Sequence, residues 1–69
     1  MQEFKLTDYY FIELNKLLKI LGLVSTGGEA NVRITNQEVK VNNTIEIQKR
    51  KKLRPGDIVT FETHQILIK

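Results

Sequence analysis

A chain of 69 residues buries only about 60% of the surface its unfolded form exposes, so one shared hydrophobic core is expected and a deep catalytic cleft is not. It has no cysteine, which removes disulfides and thiolate metal sites, and its longest apolar stretch, residues 20–24 broken by Gly22, is far too short to cross a bilayer. The net charge of +3 is unevenly placed: Lys49, Arg50, Lys51, Lys52 and Arg54 supply five of the eleven basic residues, leaving six against eight acidic ones elsewhere, the footprint expected of a protein that meets a polyanion.

In chain order, Met1-Gln2-Glu3 lacks the basic segment of an export signal, so a soluble, cytoplasmic protein is expected. Phe4 and Leu6 alternate with Glu3 and Lys5, which predicts a short strand over residues 3–6 that Thr7-Asp8 breaks. Leu14, Leu17, Leu18 and Leu21 share the face of an amphipathic helix, with Asn15, Lys16 and Lys19 opposite and Gly22 placed to end it. Thr26 and Glu29 have the spacing of a capping box, so a second helix should start near Gly27 and end near Asn36 with Ala30 and Ile34 inward. Val32 falls on the opposite side of that helix.

From Val39 the period becomes two. Val39 and Val41, a turn at Asn42-Asn43, and Thr44-Ile45-Glu46-Ile47 predict a hairpin, because asparagine accepts the positive φ values of a tight turn. After the basic stretch come a turn at Pro55-Gly56-Asp57, a strand over residues 58–61, a loop over 62–65 and a last strand over 66–68. The pattern is strand, helix, helix and four strands, which predicts an α+β fold: two short helices packed on a small, mainly antiparallel sheet.

These blocks resemble the S-four RNA-binding domain, built on the alpha-L motif. Ile12-Glu13-Leu14-Asn15-Lys16-Leu17-Leu18-Lys19 is similar to its first-helix block, Thr26-Gly27-Gly28-Glu29-Ala30 to its second-helix start, and Val39-Lys40-Val41-Asn42-Asn43 to its hairpin. Lys52-Leu53-Arg54-Pro55-Gly56-Asp57-Ile58-Val59 is similar to its closing segment. The resemblance is strongest over residues 12–61 and, with the compact length, looks most like the small stand-alone bacterial members of the YaaA type. It implies one domain over residues 1–69 that binds structured RNA, ribosomal or transfer, and associates with ribosomal particles. Two positions depart from the family's habit: Asn31 stands where a basic residue is common, and Asn43 where glycine is.

Lys49, Arg50, Lys51, Lys52 and Arg54 are the sharpest candidates for RNA contact, because closely spaced cations gain from displacing the counterions of phosphates. Read alone, the run could equally be a solvated loop. Thr26, Gly27 and Gly28 offer free helix-start N–H groups to an anion, or simply an ordinary capped start. Lys16 and Lys19 point one way from the first helix, with plain solvation as the alternative, and Asn31 would line the groove between helix and loop. Arg33 either meets RNA or snorkels over the core. Tyr9, Tyr10 and Phe11 could stack on bases, although packing under the first helix is the preferred reading. His64 is alone in a loop and makes no metal site.

No nucleophile setting, phosphate loop or carboxylate pair appears, so neither an enzyme nor a cofactor is expected. A monomer without membrane attachment is expected. The alternatives are a protein-interaction module whose basic loop meets an acidic partner in a ribosome-associated complex, and peripheral binding to anionic lipid.

Overall fold

The computed structural model describes residues 1–7 and 10–69. Among these, two helices, α1 (Leu14–Ile20) and α2 (Gly27–Thr35), sit among seven short strands: β1 (Gln2–Phe4), β2 (Ile12–Glu13), β3 (Val39–Val41), β4 (Thr44–Ile45), β5 (Lys52–Leu53), β6 (Ile58–Phe61) and β7 (His64–Ile68). Five strands form one sheet in the order β1-β7-β6-β3-β4. Its β1–β7 pair is parallel and its other pairs antiparallel, so the α+β expectation of two helices on a mainly antiparallel sheet holds. The remaining strands, β2 and β5, form a separate antiparallel ribbon.

Strand alternation builds the core. Val39 and Val41, Val59 and Phe61, and Ile66 and Ile68 are buried on one sheet face, while Lys40 between the two valines is exposed. Against that face pack Leu14, Leu17 and Leu18 of α1 and Ala30 and Ile34 of α2, with Leu53 of the ribbon fully buried beside them. Val32 stands out in solvent, as its position on the helical wheel requires.

Both helices end in the Schellman arrangement. At α1, Gly22 takes φ +73° while its N–H donates to the Lys19 carbonyl and that of Leu23 to the Leu18 carbonyl. At α2 the same pair of bonds runs from Gln37 to Ile34 and from Glu38 to Arg33, with a non-glycine residue, Gln37, at φ +65°. The hairpin turn has Asn42 and Asn43 at φ +53° and +68°, the primed-turn geometry that suits strand twist. Asn42 does more than turn the chain: its side chain donates to Asp57 and accepts the Ile58 N–H, and Asp57 in turn accepts the Arg54 N–H.

Four expectations change. The first strand is shorter, at Gln2–Phe4. Ile12 and Glu13 begin a strand instead of the first helix, because they pair with Leu53 and Lys52. The hairpin's return arm ends at Ile45, with a single further bond from the Glu46 N–H to Val39. Finally, the last loop shrinks to a tight turn, so His64 is the exposed first residue of β7, paired in register with Phe61.

Candidate nucleic-acid interface

A helix start leaves its first N–H groups without partners inside the helix. In α1 the residue before the helix, Glu13, provides no side-chain cap. The basic loop supplies the acceptors instead: the Leu14 N–H donates to the Lys51 carbonyl at 2.9 Å and the Asn15 N–H to the Lys49 carbonyl at 3.1 Å. Together with the β2–β5 pairs, these bonds fasten the backbone of the loop to the beginning of α1.

The ribbon then sorts the side chains. Ile12 opposite Leu53 turns toward the core, where both pack. By alternation Phe11 and Glu13 share the other face with Lys52 and Arg54. The Lys52 ammonium lies 5.0 Å and the Arg54 guanidinium 5.8 Å from the centre of the Phe11 ring. Phe11 is half-buried and Tyr10 almost fully exposed, so Tyr10 does not pack under the first helix. The reading of Tyr9 lies outside the described residues, as does Asp8.

The cations of the loop are not equivalent. Glu13 takes Arg50 at 3.1 Å and Lys16 at 3.9 Å. Among the described residues Lys19, Lys49, Lys51, Lys52 and Arg54 have no carboxylate partner. Lys51 is half-buried and the other four are exposed. The Arg50 side chain is itself 78% exposed and Glu13 only 18%, so the arginine can swing to a phosphate while Glu13 keeps Lys16 at 3.9 Å.

At α2 Thr26 caps the helix and Glu29 reaches back one residue beyond it, a displaced form of the expected capping box. The Thr26 hydroxyl accepts the Glu29 N–H at 3.0 Å, and the Glu29 carboxylate accepts the Ser25 N–H at 2.8 Å. Neither bond uses the N–H of Gly27 or Gly28, which have no partner among the described residues. A Cβ added at Gly27 would meet nothing within 4 Å, and at Gly28 only the Thr26 hydroxyl at 3.8 Å. Packing therefore does not demand glycine at either position. One turn on, Asn31 accepts a hydrogen bond from the Asn15 amide at 3.1 Å, so this residue joins the helices, its oxygen already engaged. Loop, α1 start, Asn31 and α2 start are thus neighbours in one chain of contacts.

Arg33 belongs elsewhere. It lies over the Phe61 ring at 4.7 Å and pairs with Glu29, Glu38 and Glu62, which ties α2 to the β6–β7 turn. The hydrogen bonds that its guanidinium donates to Glu62 and Glu38 raise its pKa above the ordinary arginine value. It lies over a core ring and meets its own protein's acids, as the snorkelling reading expects.

A family model for the S4 domain matches residues 4–69. The chain belongs to the S4 domain family. Among curated relatives, "Putative RNA-binding protein YbcJ" of Escherichia coli (strain K12) is 34% identical over 68 residues, covering 99% of this chain and 97% of that protein. The "Uncharacterized protein YbcJ" of Shigella flexneri matches to the same extent. The solution structure of E. coli YbcJ, described as revealing an alphaL motif involved in RNA-binding, superposes with a TM-score of 0.73 over 99% of this chain and 86% of that one. The S4 domain resemblance and the alpha-L architecture read from the sequence are thereby borne out.

Proposed function

We propose that this S4 domain binds structured RNA, ribosomal or transfer RNA, mainly through its phosphate backbone. Membership of the family and likeness to YbcJ support the RNA reading. The observation that carries it to a surface is the basic loop capping α1: those backbone bonds hold Lys49, Lys52 and Arg54, none with a carboxylate partner among the described residues, beside the helix pair. Lys16 and Lys19 extend the cationic surface along α1, and Arg50 joins it by leaving Glu13. Lys51 contributes chiefly its carbonyl to the helix cap, with its half-buried ammonium at the edge. Thr26, Gly27 and Gly28 offer backbone N–H groups to a phosphate, where the partial positive charge of a helix start favours an anion. Asn31 lines the seam between the helices. Shape and backbone dominate recognition, as is usual for paired RNA.

Titration of a ribosomal RNA fragment at several salt concentrations tests this. Neutralising about four phosphates predicts a log–log slope of binding constant against salt near −3. The variant Lys49→Ala, Lys52→Ala, Arg54→Ala should keep the fold, lower affinity across RNA sequences and flatten that slope. A salt-independent affinity would favour an acidic protein partner for the loop, and unchanged binding by the triple variant would overturn the assignment of the surface.

A further inference from the structure

Beside the cationic surface runs an apolar groove of about 530 Å³ lined by Phe4, Leu6, Phe11, Ile12 and Ile20, with Lys5, Glu13 and Lys16 among its polar lining residues. Its volume falls in the range of small-molecule sites, about 300–1,000 Å³. We infer that this groove takes an unpaired nucleobase of the bound RNA, stacked on the Phe11 ring while its flanking phosphates meet Lys16, Lys52 and Arg54. The inference rests on the RNA reading and adds what that reading lacks, a reason to prefer one RNA shape over another.

Three observations converge on this occupant. The groove shares Lys16 with the phosphate surface, and its aromatic wall, Phe11, is the ring over which Lys52 and Arg54 lie, so an occupant that carries phosphates on either side is matched in charge. The lining acid, Glu13, is occupied by Lys16 and Arg50, which leaves the site net cationic. Ile20 stands 62% exposed at the groove although it belongs to the helix that supplies much of the core, and an apolar side chain left in water in a groove that a phenyl ring also lines suits a planar ligand with apolar faces. Bases of bulges and loops stack on aromatic rings in this way, whereas paired bases cannot leave their helix without unstacking.

The test uses two RNA hairpins that differ only in one bulged nucleotide, together with a third in which the bulge is abasic. The intact protein should bind the bulged hairpin about tenfold more tightly than the paired or abasic one, the size expected for one stacked base. Phe11→Ala and Phe11→Leu should bring the ratio of bulged to paired affinity to one, whatever change the loss of the ring beneath Lys52 and Arg54 makes to affinity for the fully paired hairpin. Phe11 is not one of the buried core residues, and circular dichroism of both variants checks that they are folded. Adenosine monophosphate, added alone, should shift the ring resonances of Phe11 before those of the β6–β7 turn. Equal binding of all three hairpins, or a preference that survives both substitutions, overturns the nucleobase site and leaves the RNA reading standing. Failure to bind any hairpin overturns both.

Discussion

Gln37 ends α2 at φ +65°, a conformation that costs a side-chain-bearing residue about 1–2 kcal/mol and glycine almost nothing. Gln37→Gly should therefore stabilise the fold by about 0.5–1 kcal/mol, read as a higher midpoint in urea with an unchanged m-value. A lower midpoint would show that the Gln37 side chain makes a compensating contact. The two glycines at the start of α2 invite the opposite experiment. Since a Cβ fits at Gly27 and Gly28 and neither takes a positive φ, alanine at both should leave stability equal or raise it by up to about 1 kcal/mol per site. If the free N–H groups receive a phosphate, the same double variant should bind RNA more weakly, by up to about tenfold. Unchanged affinity would reduce the glycines to a plain helix start. At this scale the sequence was informative wherever a residue acts on its own neighbours: Gly22, Thr26 with Glu29, and the Asn42-Asn43 turn all follow from short-range chemistry. Gln37 was not legible, because nothing about glutamine announces a left-handed helix end.

Elements told from periodicity survive best when they are long enough to repeat. The leucines of α1 and the alternating residues of β6 were readable for that reason. The β2–β5 ribbon was not: two strands of two residues each have no period, and their partners lie some forty positions apart in the chain. This ribbon nevertheless shapes the candidate site, since it fixes the charged loop to α1. Arg33 shows the same limit, because its three acids come from α2 itself, the α2–β3 connection and the β6–β7 turn, and only Glu29 and Glu38 are near it in sequence. Replacing it tests whether this cluster secures α2 to the sheet. Arg33→Met would leave Glu29, Glu38 and Glu62 facing one another without a cation, so the melting temperature should fall. The deficit should shrink in 1 M salt, where the Debye length is about 3 Å and repulsion among exposed carboxylates is screened. A deficit independent of salt would mean that the arginine acts through its stacking on Phe61 alone.

For the molecule as a whole, the question is whether its modest excess of positive charge acts as a total or as a patch. Two double variants separate these, each lowering the net charge from +3 by the same two units. Lys52→Ala with Arg54→Ala removes cations from the ribbon. Lys40→Ala with Lys69→Ala removes them from the sheet face turned away from the helices, where Lys40 stands between buried valines and Lys69 is paired only with Glu3 at 3.4 Å among the described residues. A field set by net charge alone would slow RNA association equally in both. Beyond a Debye length of about 8 Å at physiological ionic strength, however, exposed charges are largely screened, and the molecule extends 28 × 22 × 19 Å, so opposite faces are felt separately. The ribbon variant should therefore lose affinity and reduce the magnitude of the salt slope by about 2, one per phosphate contact, while the sheet-face variant keeps both within experimental error. Equal losses would place the bound RNA around the whole protein and overturn the assignment of binding to the ribbon.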